Sequence, residues 1–210
     1  MSSLLVKIRT ILNDFKDYLI PYKSVSDRFK VLENISDLKK YTQEQSAQVV
    51  QTTLYGYLKT RMGVQHVLMF EDKVFLESIN IAKWNIYLTA IADLLLFCFS
   101  VLVERKNLKE TDLVLKYYNE ILDEEISNGL SKNDYDKYLE EFKQRLRAIN
   151  WQNYHLEKPF YQSGEALFKW APIADELKKF DKKIVLNSIK HKWNLVSSDF
   201  YKLVDRSKNF

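Results

Sequence analysis

The stretch Ile86–Val103 (IYLTAIADLLLFCFSVLV) limits what this chain can fold into more than any other feature. Eighteen largely apolar residues reach the lower limit for crossing a bilayer, but Asp93 stands in their middle. A central Asp costs about 2.5–3.5 kcal/mol on insertion scales. A helix that is apolar on every side also occurs at the heart of a larger helical domain. The expectation is therefore a buried core helix, running from about residue 72 to residue 105, with the rest of the chain packed around it.

The remaining sequence supplies helices for that packing. Only four Gly and three Pro occur in 210 residues, too few turn formers for a sandwich or barrel of short strands. Residues 4–20 repeat apolar side chains at helical spacing and stop at Pro21. Thr42 and Gln45 have capping-box spacing before a run that reaches Met62, with Gly63 as its stop. Further helices are expected over 111–128, closed by Gly129, and from the Ser131–Asp134 capping box to about Trp151. A short helix over 165–170 and two stretches near 173–186 and 188–205 complete the chain. No repeat, low-complexity tract or linker divides it. The reading is all-α: one domain over 1–210, a bundle of six to seven helices around the central apolar one.

Composition narrows the chemistry. Cys98 is the single cysteine, so an intramolecular disulfide and a thiolate zinc cluster are both excluded, and a reducing cytoplasm fits. Lys7 and Arg9 interrupt the apolar N-terminal pattern, which argues against a secretory signal. The glycines form no nucleophile elbow, dinucleotide fingerprint or phosphate loop. No Glu stands three residues before His66, His155 or His191, and H-E-x-x-H is absent, so no metal or other cofactor is expected. Ser78 or Ser100 with His66 or His155 would supply the residue types of a serine hydrolase, but nothing local brings them together. Charge is uneven: residues 104–157 carry 9 basic against 12 acidic side chains, and residues 169–210 carry 10 against 5. With no run of five or six like charges, a solvated face outweighs nucleic-acid binding.

The positive signal is polar side chains on apolar faces. At 100° per residue Arg61 falls on the stripe of Val50, Leu54 and Tyr57, and Lys59 falls opposite. In the central helix Asp93 falls beside Ile79, Ala82, Ile86, Ala90 and Phe97, with Lys83 close by. A buried charge needs a partner, so Arg61 is expected to meet Asp93 or Asp72. A second concentration, Trp151, Tyr154, Phe160, Tyr161, Phe168 and Trp170, suits a loop anchored on the core, and also a binding surface.

The segments LYGYLKTRMG (54–63), MFED-VF (69–75) and SINIAKW (78–84) resemble an uncharacterised alphaproteobacterial family, some of whose members carry the label esterase. The resemblance covers about residues 42–96, and within it Tyr55, Lys59, Arg61, Asp72, Lys83 and Asp93 are candidate binding residues by their chemistry and their place in the motif. Leu54-Tyr55-Gly56 before a long apolar helix is also similar to the assembly chaperone of ubiquinol–cytochrome c reductase. Two functions are thus expected. One is a cytoplasmic interaction or assembly protein, peripheral to a membrane, using helical faces and segment 151–170 to bind a protein partner. The other is a small-molecule hydrolase with its site between helix 42–62 and the central helix.

Overall fold

The computed structural model describes residue 32 and residues 36–63 and 71–207. The helix expected over 4–20 and His66 lie outside the described residues. Among the described residues there are seven α-helices and no strand: α1 (Asp37–Met62), α2 (Lys73–Lys106), α3 (Leu113–Ser127), α4 (Lys132–Arg147), α5 (Tyr161–Trp170), the single turn α6 (Asp175–Lys178) and α7 (Lys182–Arg206). A 3₁₀ turn, Tyr154–Leu156, stands between α4 and α5.

Helix α2 is the axis of the bundle, roughly 50 Å long at 1.5 Å per residue, and it touches α1, α3, α4, α5, α7 and the 3₁₀ turn. Leu94, Leu95 and Leu96 point in three directions 100° apart, yet none retains any exposure. Of the most apolar 18-residue window, 94% is buried against the other helices. Its hydropathy is thereby accounted for by packing. The ends of α2 are both built: the Asp72 carboxylate accepts the N–H of Val74 (2.8 Å) and Phe75 (3.3 Å), and Asn107 takes the left-handed conformation past the last turn.

Four boundaries differ from expectation, the first three with a local contact at the difference. Helix α1 begins at Asp37, not Thr42, because the Thr42 hydroxyl donates back to Leu38 O (2.7 Å) inside an already running helix. Gly164 does not break α5, which starts at Tyr161. It is a contact residue instead, since a Cβ there would lie 3.0 Å from Leu186 Cδ2 on α7. The break between the last two helices falls at 179–181, where Asp181 is held by α1, and not near residue 187. The Ser131 cap forms as expected, its Oγ accepting Asp134 N–H at 3.0 Å, although α4 ends at Arg147, short of Trp151.

Candidate functional site

Asp93 is the most deeply placed charge among the described residues, with no exposure. Its partner is Arg145 on α4, Nη2 to Oδ1 at 2.6 Å, and its second oxygen accepts the Ser163 N–H at 2.8 Å. The expected Arg61–Asp93 pair does not form. Arg145 also donates to Tyr154 Oη (2.8 Å), which donates on to Pro159 O (3.3 Å). Ser163 Oγ donates to Phe160 O (3.1 Å) and accepts Trp193 Nε1–H (3.0 Å). The network therefore binds α2, α4, α5 and α7 through one carboxylate. Burial pushes the Asp93 carboxyl up, opposed by Arg145 and the Ser163 N–H.

Arg61 is at the surface, and the stripe does not stay buried as far as this residue: Leu58 is the last buried side chain of α1, and Lys59, Thr60 and Arg61 are exposed. Its guanidinium grips both oxygens of Asp181 and donates to Leu177 O (3.0 Å). Tyr57 Oη donates to the same carboxylate (2.7 Å). Arg61 and the Tyr57 hydroxyl hold the Asp181 carboxyl below its ordinary value; burial, with Asp181 alongside, pushes the Tyr57 phenol up to about 12. A cleft of about 300 Å³ opens here, lined from α1 by Thr53, Gly56 and Thr60 and from α7 by Ile184, Val185 and Ser188. Its walls are α1, α5 and α7, so it does not lie between α1 and the central helix, where the hydrolase site was expected.

The other predicted residues are dispersed. Asp72 caps α2. Lys59 is exposed, on the face assigned to it. Tyr55 packs partly buried against the core, and burial pushes its phenol up. Lys83 is buried with its ammonium 4.6 Å from the Trp84 ring centre. Burial lowers its pKa, with Glu125 pulling the other way. Glu125 itself accepts Tyr87 Oη and Asn128 Nδ2, each at 2.9 Å. The six candidates thus do not converge on one site.

One constellation that spacing could not assemble does form. Ser100 Oγ on α2 lies 2.9 Å from His155 Nδ1, 2.7 Å from Trp151 O, and accepts the His155 backbone N–H at 3.1 Å. A hydroxyl has one proton. Given to the Trp151 carbonyl, it leaves His155 Nδ1–H as a donor to Ser100, not a base acting on it. Ser100 has no exposure, so an external substrate cannot reach its oxygen. Burial lowers the His155 pKa, which keeps the ring neutral.

The aromatic segment turns inward. Phe160 stacks on Trp193 (4.5 Å, 8°) and meets Phe97 at 5.1 Å, while Trp151 lies 6.3 Å from Phe99. Trp151, Tyr154, Phe160, Phe168 and Trp170 all pack on the core, leaving Tyr161 as the exposed ring of the group. Its anchoring role is the one realised. Among the described residues other large apolar side chains also stand in water: Val74, Ile81, Ile126 and Leu156 singly along the chain, and four close together in sequence, Leu177 (64%), Phe180 (81%), Ile184 (69%) and Leu195 (52%). Among the described residues no three His, Cys, Asp or Glu side chains are grouped to hold a metal ion. No protein-family model matches the chain, and neither a curated protein nor a solved structure does so.

Proposed function

We propose that this chain is a cytoplasmic interaction or assembly protein that works by surface contact at the periphery of a membrane, not by catalysis. One contrast carries the reading. The interior charges Asp93, Arg145 and Glu125 are spent on closed hydrogen-bond networks, while the apolar side chains around Phe180 stand in water. A catalytic group needs an open side from which substrate approaches; an interaction surface needs apolar anchors exposed before the partner arrives. In-cell cross-linking from a photoreactive residue at position 180 tests it. A discrete adduct, lacking when the residue stands at Lys143 instead, is expected. Adducts of equal yield from both positions, or none, would overturn the reading.

A hydrolase is the second reading, favoured by the Ser100–His155 approach at 2.9 Å and by the family resemblance. It requires Ser100 to become exposed. Saturable turnover on a panel of short and long acyl esters, lost in Ser100→Ala, would establish it.

A further inference from the structure

The exposed apolar side chains share their edge of the molecule with lysines and with few carboxylates. From Lys182 to Ser198, helix α7 contains four lysines and not one Asp or Glu. At 100° per residue, Lys183, Ile184, Lys190, His191 and Leu195 fall within about 140° of each other, opposite the buried Val185, Ile189, Trp193 and Val196. Leu177, Lys179 and Phe180 precede this face directly in the chain. The nearest acids are compromised as counter-charges: Asp181 is gripped by Arg61, and Asp175 is paired with Lys178 at 3.1 Å. Glu176 remains.

The inner side of the same corner is tied down. Arg61 holds Leu177 O and Asp181, Lys178 Nζ donates to Lys169 O (3.0 Å), and Lys182 pairs with Glu165 on α5 (2.9 Å). The turn at 179–181 is therefore fixed by its polar groups and presents Phe180 outward. That presentation needs no disorder to produce it.

We propose that this edge, Leu177, Phe180, Ile184 and Leu195 set among Lys179, Lys183 and Lys190, seats the protein on an anionic lipid surface. Headgroup phosphates complement the lysines, and the acyl boundary accepts the apolar side chains between them. A nucleic-acid backbone would use the lysines but leaves the aliphatic side chains without a partner. The inference rests on the surface-contact reading above and names its partner.

The experiment is flotation of the full chain with vesicles of equal parts phosphatidylcholine and phosphatidylglycerol, beside vesicles of phosphatidylcholine alone. Binding to the anionic vesicles only, weakened by salt, is expected. Phe180→Ser and Ile184→Ser together should weaken it about tenfold or more, given the apolar contribution to interfacial binding, and Lys179→Glu with Lys183→Glu should abolish it. These positions are exposed, and unchanged circular dichroism confirms folding. No flotation with the anionic vesicles overturns the proposal, as does flotation indifferent to the Phe180 and Ile184 changes. Salt-sensitive binding of duplex DNA without vesicle binding overturns it in favour of nucleic acid. If vesicles are not bound but position 180 still cross-links a protein, the lipid assignment falls and the surface-contact reading stands; if both fail, both fall.

Discussion

Replacing Arg145 by Met should be the most informative single change in this molecule. It keeps most of the side-chain volume and removes the one cation bonded to Asp93 among the described residues. The carboxylate keeps the Ser163 N–H at 2.8 Å and has no exposure through which water could replace the guanidinium. Breaking a buried pair from one side costs about 3–5 kcal/mol. At about 2–4 °C per kcal/mol for a domain of this size, the melting temperature should fall roughly 6–20 °C. Arg145→Met with Asp93→Asn should be more stable than Arg145→Met alone, because the amide has no charge to bury and can still accept from Ser163. The loss should depend on pH. Burial already raises the Asp93 pKa in the fold, and without Arg145 it rises further. A raised folded pKa favours the protonated native state, so the variant keeps most stability below the ordinary carboxyl range and loses it as pH climbs through the new value. Urea unfolding followed by circular dichroism at acid and neutral pH measures both effects. A loss under about 1 kcal/mol for Arg145→Met, or an Asp93→Asn change that simply adds to it, would refute the account of the network as a charge pair under desolvation.

Asp72→Ala should cost about 1 kcal/mol through the N–H groups of Val74 and Phe75 it leaves uncapped, read as a shift in denaturation midpoint at constant slope. Cys98 has no exposure, and burial holds its thiol well above the ordinary range. It should resist alkylation in the native protein and react on unfolding; rapid native labelling, followed by mass spectrometry, would contradict that placement. His155 has a folded pKa below its ordinary value near 6.5, so its contribution is complete above that pH and is lost as pH falls through the depressed value. His155→Gln should flatten this limb of the stability curve, whereas an unchanged acid limb would place its proton uptake elsewhere.

How much of this was legible in the sequence depended on whether the signal was local. The extent of α2, the Ser131 cap and the Gly129 stop are properties of adjacent residues, and they read correctly. The partner of Asp93 was also within reach: Tyr138, Phe142 and Arg145 fall within about 60° on α4, so the arginine shares the face of two buried rings. What misled was treating Arg61 as buried because its neighbours on the stripe are. A helix end can outrun the core that its middle packs on. Asp181 and the Ser100–His155 approach carried no local signal, since each joins residues 50 or more positions apart across packed elements.

The enclosure of α2 has a consequence for how the protein is made. Synthesis delivers its leucines before α3, α4, α5 and α7 exist to cover them. At ribosomal speeds of about 5–20 residues per second, the roughly 100 residues from the end of α2 to the end of α7 take about 5–20 s to appear. Throughout that interval a segment apolar enough to be taken for a membrane span waits in an incomplete bundle. Asp93, still without Arg145, then lies at its centre as a charge that membrane insertion would have to carry. The same residue that pins four helices in the finished fold thus biases the growing chain away from the bilayer interior until those helices arrive.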